Sequence, residues 1–206
     1  MTDATAGGDT AGAPTIAPIL WMQAEPTRLA RDQAEVAAFA PLLGYCGPEL
    51  TADVSISHGG WVGELPRWPF DRAEPEGLDD LIGEYGLRMA MLYSAAHPMV
   101  PPVIYPLDPE PLLVEQTQSA WHVAPGGSLC LLQSLGAWRP ESSITELLAK
   151  AAGWRIEYAL MKAGVVEQMS TNGIVSDSSF DHLVARAVKQ AEHEDPEQRT
   201  EPDVPQ

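Results

Sequence analysis

Between residues 87 and 93 the chain reads Leu-Arg-Met-Ala-Met-Leu-Tyr, and Leu87, Met89, Met91 and Tyr93 recur at a period of two. That alternation calls for an extended strand with one buried face, because successive strand side chains point to opposite sides of a sheet. Segments of similar character lie around it: "ADVSISH" (52–58), "WVGELPRW" (61–68) and "PPVIYP" (101–106). Together they predict an antiparallel meander of four strands. The stretch "PFDRAEPEGLDDLIGEYG" (69–86) reads as a loop with a short helical turn.

Helical patterns flank the meander. After Pro26, residues Leu29, Val36, Phe39 and Leu43 follow helical spacing, and the Gly and Pro of "GYCGPEL" (44–50) end it. At residues 143–146, "SITE" has the spacing of a capping box. Ile144, Leu147, Leu148, Ala151, Ala152, Tyr158 and Met161 then recur at steps suited to one helix of about five turns, ending at Gly164 and weakened at Gly153. A last helix is expected from Ser178 or Ser179, with Phe180, Leu183, Val184, Ala187 and Val188 on one face. The expected class is α+β, with an N-terminal helix, the meander, an irregular loop and then C-terminal helices. Residues 1–13 and the acidic 191–206 read as disordered tails around one domain at 14–190.

Charge narrows the partners. Twelve Lys and Arg against 29 Asp and Glu give a formal net charge of -17, which repels a phosphate backbone and an anionic bilayer alike. Neither nucleic acid nor membrane is an expected partner, and the acidity serves either solubility or the attraction of a basic face. No apolar run approaches the ~20 residues of a membrane span, and the start lacks the pattern of a signal peptide, so a cytoplasmic chain is expected. Its two cysteines, Cys46 and Cys130, then read as free thiols. His58, His97, His182 and His193 lack metal-ligand spacing, and no Gly-rich phosphate loop or Gly-x-Ser-x-Gly turn occurs, so no metal or other cofactor is expected.

Cys130 lies in "WHVAPGGSLCLLQSLGAWRP" (121–140), between the sheet and the capped helix, in the irregular kind of connection where sites concentrate. Flanked by Leu129, Leu131 and Leu132, it is either a packed core thiol or a nucleophile. Cys46 reads as structural. Gly126 and Gly127 allow a tight turn before Cys130. Trp138 and Pro140 read as an aromatic anchor and a helix-entering proline.

The order of three elements, "YPLDPEP" (105–111), "GSLCL" (127–131) and "WRP" (138–140), resembles the ubiquitin-conjugating enzyme family. Tyr105 precedes Cys130 by 25 residues and Trp138 follows it by eight, as the family's pattern has them. The family's His-Pro-Asn triplet appears here as Ala120-Trp121-His122, without the Asn, and Leu132 stands where an acidic residue is frequent. These departures resemble the bacterial members, which work with activating enzymes and ubiquitin-like modifiers, some of them in defence against phage.

The resemblance implies a UBC-like fold and a thioester mechanism. Cys130 would accept the C-terminal carbonyl of a ubiquitin-like modifier from an activating enzyme and yield it to an amine of a protein target. His122 would supply a ring N–H where the Asn is missing, or else is a turn histidine bonded to local backbone. Tyr105, Pro106, Gly127, Trp138 and Pro140 would shape the surface for modifier or partner. The alternative is a non-catalytic binding platform of the same fold, with Cys130 a core thiol.

Overall fold

The computed structural model describes residues 19–48, 56–171, 173–175 and 178–194. Among them the fold is α+β, with one four-stranded antiparallel sheet and five α-helices. A short helix α1 (Trp21–Ala24) leads into α2 (Pro26–Phe39), which starts on the proline whose missing N–H suits a first helical position. Leu43 does not continue this helix. Pro41 disfavours helical geometry at the residue before it, Ala40 leaves the helix at φ −137°, and Leu43 opens the first strand instead.

Strands β1 (Leu43–Cys46), β2 (Gly60–Glu64), β3 (Arg88–Leu92) and β4 (Val103–Asp108) pair in sequence order. The first strand therefore precedes the segment expected to supply it. Of "ADVSISH", residues 52–55 lie outside the described residues and 56–58 form a tight helical turn. The alternation at 87–93 is realised as expected: Leu87, Met89 and Met91 are fully buried and Tyr93 nearly so. A short helix α3 (Leu78–Ile82) interrupts the link from β2 to β3.

Helix α4 (Ile144–Lys162) is the axis of the molecule. Its residues are buried nearly all round, as expected of a helix enclosed by other elements. One face joins the sheet, α2 and the 121–138 connection in a large core; the other packs Ile156, Ala159 and Leu160 on α3 and on α5 (Asp181–Glu194). Ser143 caps α4 by accepting the Thr145 N–H at 3.1 Å. The expected capping box takes another form: Ser143 Oγ accepts from the Thr145 rather than the Glu146 amide, and its own proton goes to Glu35 of α2 at 2.5 Å.

Gly153 does not weaken α4. A Cβ there would lie 2.8 Å from Ile174 Cγ2, so the glycine lets residues 174–175 press directly on the helix. Helix α5 runs to Glu194, four residues into the expected tail, since "AEHE" (191–194) consists largely of tolerant helix formers and the proline comes only at 196. The rest of that tail and the whole of 1–13 lie outside the described residues. Among the described residues no helix is long and apolar enough to cross a membrane.

Candidate active site

After β4 the chain turns through two short 3-10 segments, Glu115–Thr117 and Ser119–Trp121, and reaches His122 in the left-handed region at φ 50°, ψ 38°. From there residues 122–130 fold into a small hairpin. The Cys130 N–H donates to His122 O at 2.8 Å, Val123 and Leu129 form an antiparallel bridge, and the Ala124 N–H donates to Ser128 O at 2.7 Å. Gly126 and Gly127, at φ 97° and 89°, make the reversal that other residues rarely adopt. An eight-residue separation in sequence thus becomes direct cross-strand pairing of Cys130 with His122.

The hairpin is docked on the sheet through the Leu129 N–H, which donates to Ile104 O at 2.8 Å. Three consecutive carbonyls fix its entrance. Ala120 O accepts the Met169 N–H at 3.1 Å, Trp121 O accepts the Trp154 indole N–H at 2.9 Å, and His122 O accepts Cys130. The hairpin, α4 and the 169–171 segment are therefore joined at one triplet. Between them lies a cavity of ≈ 550 Å³, with Cys130 and His122 on one wall, Lys150, Trp154 and Glu157 on another, and Ser170 on the third. Gln133 Nε2 closes one side by donating to Thr171 O at 2.5 Å.

Cys130 is exposed at this cavity. Desolvation nonetheless pushes its thiol pKa up, because the apolar wall that includes Val123, Leu131 and Leu132 keeps water from part of the sulfur. The resting group is a thiol, and no cation of the cavity offsets that shift. Lys150 Nζ donates to Leu131 O at 3.3 Å.

Glu157 is buried to 2% and accepts three hydrogen bonds of 2.7 Å, from Ser170 N–H, Ser170 Oγ–H and Ile174 N–H. Burial raises its pKa, against those bonds and the attraction of His122, which pull it down. Its carboxylate is the peg that holds the third wall on α4. Nearby, Glu115 is held below the ordinary carboxylate range. Burial pushes it up, but Lys162, the Leu112 N–H and the Tyr158 hydroxyl together outweigh that by donating to it.

The remaining sequence-chosen residues lie elsewhere. Tyr105 and Pro106 sit in β4 opposite Ala90 and Met89, and neither lines the cavity. Gly127 belongs to the hairpin turn. Trp138 is buried, donates its indole N–H to Pro98 O at 2.8 Å and stacks against the Arg28 guanidinium, 5.8 Å from its ring centre. Pro140 O accepts from Arg28, which also donates to Ser142 O at 2.8 Å and pairs with Asp32 at 2.7 Å. The Trp-x-Pro element is thereby clamped to α2, where it sets the start of α4.

Sequence reading missed Lys150, Glu157 and Ser170. Lys150, Trp154 and Glu157 follow steps of four and three, one helical stripe, which was the available signal. Among the described residues no three His, Cys, Asp or Glu gather as metal ligands. No family model matches the chain, and no curated protein matches it.

Proposed function

We propose that this chain is a ubiquitin-conjugating-type carrier of the bacterial kind, cytoplasmic and possessed of a UBC-like fold, which holds a ubiquitin-like modifier as a thioester on Cys130. The observation that carries this reading is the exposed Cys130 at the mouth of a cavity, paired across a hairpin with His122. The order of helix, four-stranded meander, irregular hairpin and helices agrees with it. An exposed thiol also removes a premise of the binding-platform alternative, in which Cys130 is packed in the core.

In the charging step the Cys130 thiolate attacks the thioester carbonyl of the modifier on the activating enzyme. A new C–S bond forms, the old one breaks, and the activating enzyme's cysteine leaves as a thiolate. In discharge the amine of a protein target attacks the same carbonyl, forms a C–N bond and releases the Cys130 thiol. A thiol of raised pKa suits a carrier: its thiolate is intrinsically more nucleophilic and a poorer leaving group, so the loaded state resists stray cleavage. Each step passes through an oxyanion, for which an aimed donor contributes ~2.7–4 kcal/mol. In this reading His122 supplies that donor.

The test is a charging assay with ATP, an activating enzyme and its ubiquitin-like modifier, read on a non-reducing gel beside Cys130→Ala. A thiol-sensitive band that the variant lacks is expected. An activating enzyme that charges while this chain gains no band refutes the proposal and leaves the platform.

A further inference from the structure

The chain has three lysines, and among the described residues Lys150 is the one that lines the Cys130 cavity. Lys162 is tied to Glu115 at 2.8 Å and lies over the Trp121 and Tyr158 rings. Lys189 belongs to α5, which contributes no residue to the cavity wall. Lys150 differs from Lys162 in its partner: its nitrogen donates to a neutral carbonyl, Leu131 O, rather than to a carboxylate. That carbonyl belongs to the residue next to Cys130, and consecutive residues are only ~3.8 Å apart along the backbone. An ammonium has three donors, and this bond uses one.

We infer that Lys150 is an acceptor within the chain itself, taking the acyl group from Cys130 onto its own Nζ inside the shared cavity. This rests on the thioester reading and names one amine that the thioester meets. The uncharged amine attacks the thioester carbonyl, the C–N bond forms, and the C–S bond breaks. The proton lost by Nζ passes to the departing sulfur, so an amide at Lys150 and a free thiol at Cys130 result. No oxidant, nucleotide or further reactant enters. Nucleophile and carbonyl belong to one molecule, so the step needs no encounter between two. The amide product leaves the acyl chain in the cavity beside Cys130, which makes the transfer self-limiting.

The test needs neither modifier nor activating enzyme. A peptide ending in Gly-Gly, supplied as its 2-mercaptoethanesulfonate thioester, is offered to the full chain carrying Cys46→Ser, and products are followed by intact mass and peptide mapping. The expected course is a thiol-labile adduct at Cys130 that converts to a hydroxylamine-resistant adduct at Lys150. Lys150→Arg keeps the donor to Leu131 O and the charge but has no nucleophilic amine. In that variant the thioester should persist at least about tenfold longer, with no resistant adduct.

If Cys130 acylates and the resistant adduct is absent, or maps equally to Lys162 and Lys189, the inference falls while the thioester reading stands. If Cys130 stays free while a cysteine peptide in the same tube acylates, the thioester reading falls and takes the inference with it. Mapping of the Cys46→Ser chain decides the point even if Lys150→Arg fails to fold.

Discussion

Removal of the Glu157 carboxylate should loosen the third wall of the cavity by an amount that the geometry bounds. Three donors converge on it at 2.7 Å, two of them backbone N–H groups, and Ile174 is itself buried to 1%. Leaving a buried donor without an acceptor costs about 1–3 kcal/mol. Glu157→Ala strands two amides, for about 2–6 kcal/mol. Removing a carboxylate whose pKa burial has raised works against this loss, which places the net effect in the lower part of that range. Glu157→Gln keeps the oxygen that serves Ser170 Oγ and Ile174 N but sets an NH₂ against the Ser170 N–H. It loses one bond of the three, about 1–3 kcal/mol. Urea titrations should show Glu157→Ala with its midpoint lowered by roughly 1–2 M and Glu157→Gln between it and the parent. Amide exchange at Ser170 and Ile174 should accelerate in the same order. Equal midpoints for Glu157→Gln and the parent, with Ser170 exchange unchanged, would show that the carboxylate does not peg this segment.

The other outcomes concern titration and the hairpin. Glu115 has a folded pKa below its unfolded value, so its contribution is present above the unfolded pKa and lost as pH falls through the folded one. Urea midpoints measured below about pH 4.3 should therefore decline, and less steeply in Glu115→Gln. Alkylation of the Cys46→Ser chain by iodoacetamide should inflect above the ordinary thiol range, because desolvation raises Cys130; an inflection below that range refutes the apolar-wall account. At His122 the backbone and the ring can be separated, since the residue sits at φ 50°. His122→Gly, which lacks the Cβ, should fold at least as well as the parent, and His122→Ala, which keeps the Cβ that His already carries at this φ, should lie below the Gly variant by about 1 kcal/mol. If the ring donor serves the oxyanion, both should charge Cys130 about 10²–10³-fold more slowly, and equal charging rates would leave His122 a turn residue alone.

Much of the fold was legible because burial wrote itself into periodicity. Leu87, Met89, Met91 and Tyr93 share a period of two and all prove buried, and Leu147, Leu148, Ala151 and Ala152 mark α4 in the same way. Strand β1 was not legible, since "LGYC" has only four residues, with a glycine among them, and no room for alternation to register. The third wall of the site was hidden for a different reason. Residues 169–171 have no regular pattern and are held by hydrogen bonds to Glu157, Ala120 and Gln133, which join residues up to 49 positions apart and leave no local trace. Lys150 and Glu157 were passed over because polar residues on a helix ordinarily face water. Only their contacts, Lys150 with Leu131 O and Glu157 with Ser170 and Ile174, show them facing inward.

The triplet Ala120-Trp121-His122 explains how a site of this kind tolerates change in its side chains. Its three carbonyls join the hairpin, α4 and the 169–171 segment, and backbone oxygens are indifferent to residue type. What the joint does demand is a left-handed conformation at residue 122, the one described non-glycine residue with positive φ. Asn, Asp and His are the residues enriched there. In the conjugating family that the sequence resembles, Asn stands at this point, and His meets the same backbone requirement. Under the proposed thioester reading, His at this position keeps the backbone joint of an Asn and differs from it only in the side chain, an imidazole in place of an amide. An imidazole N–H, like an amide N–H, can donate a hydrogen bond to an oxyanion. The assembly of the cavity thus rests on these carbonyls and on the left-handed turn at residue 122.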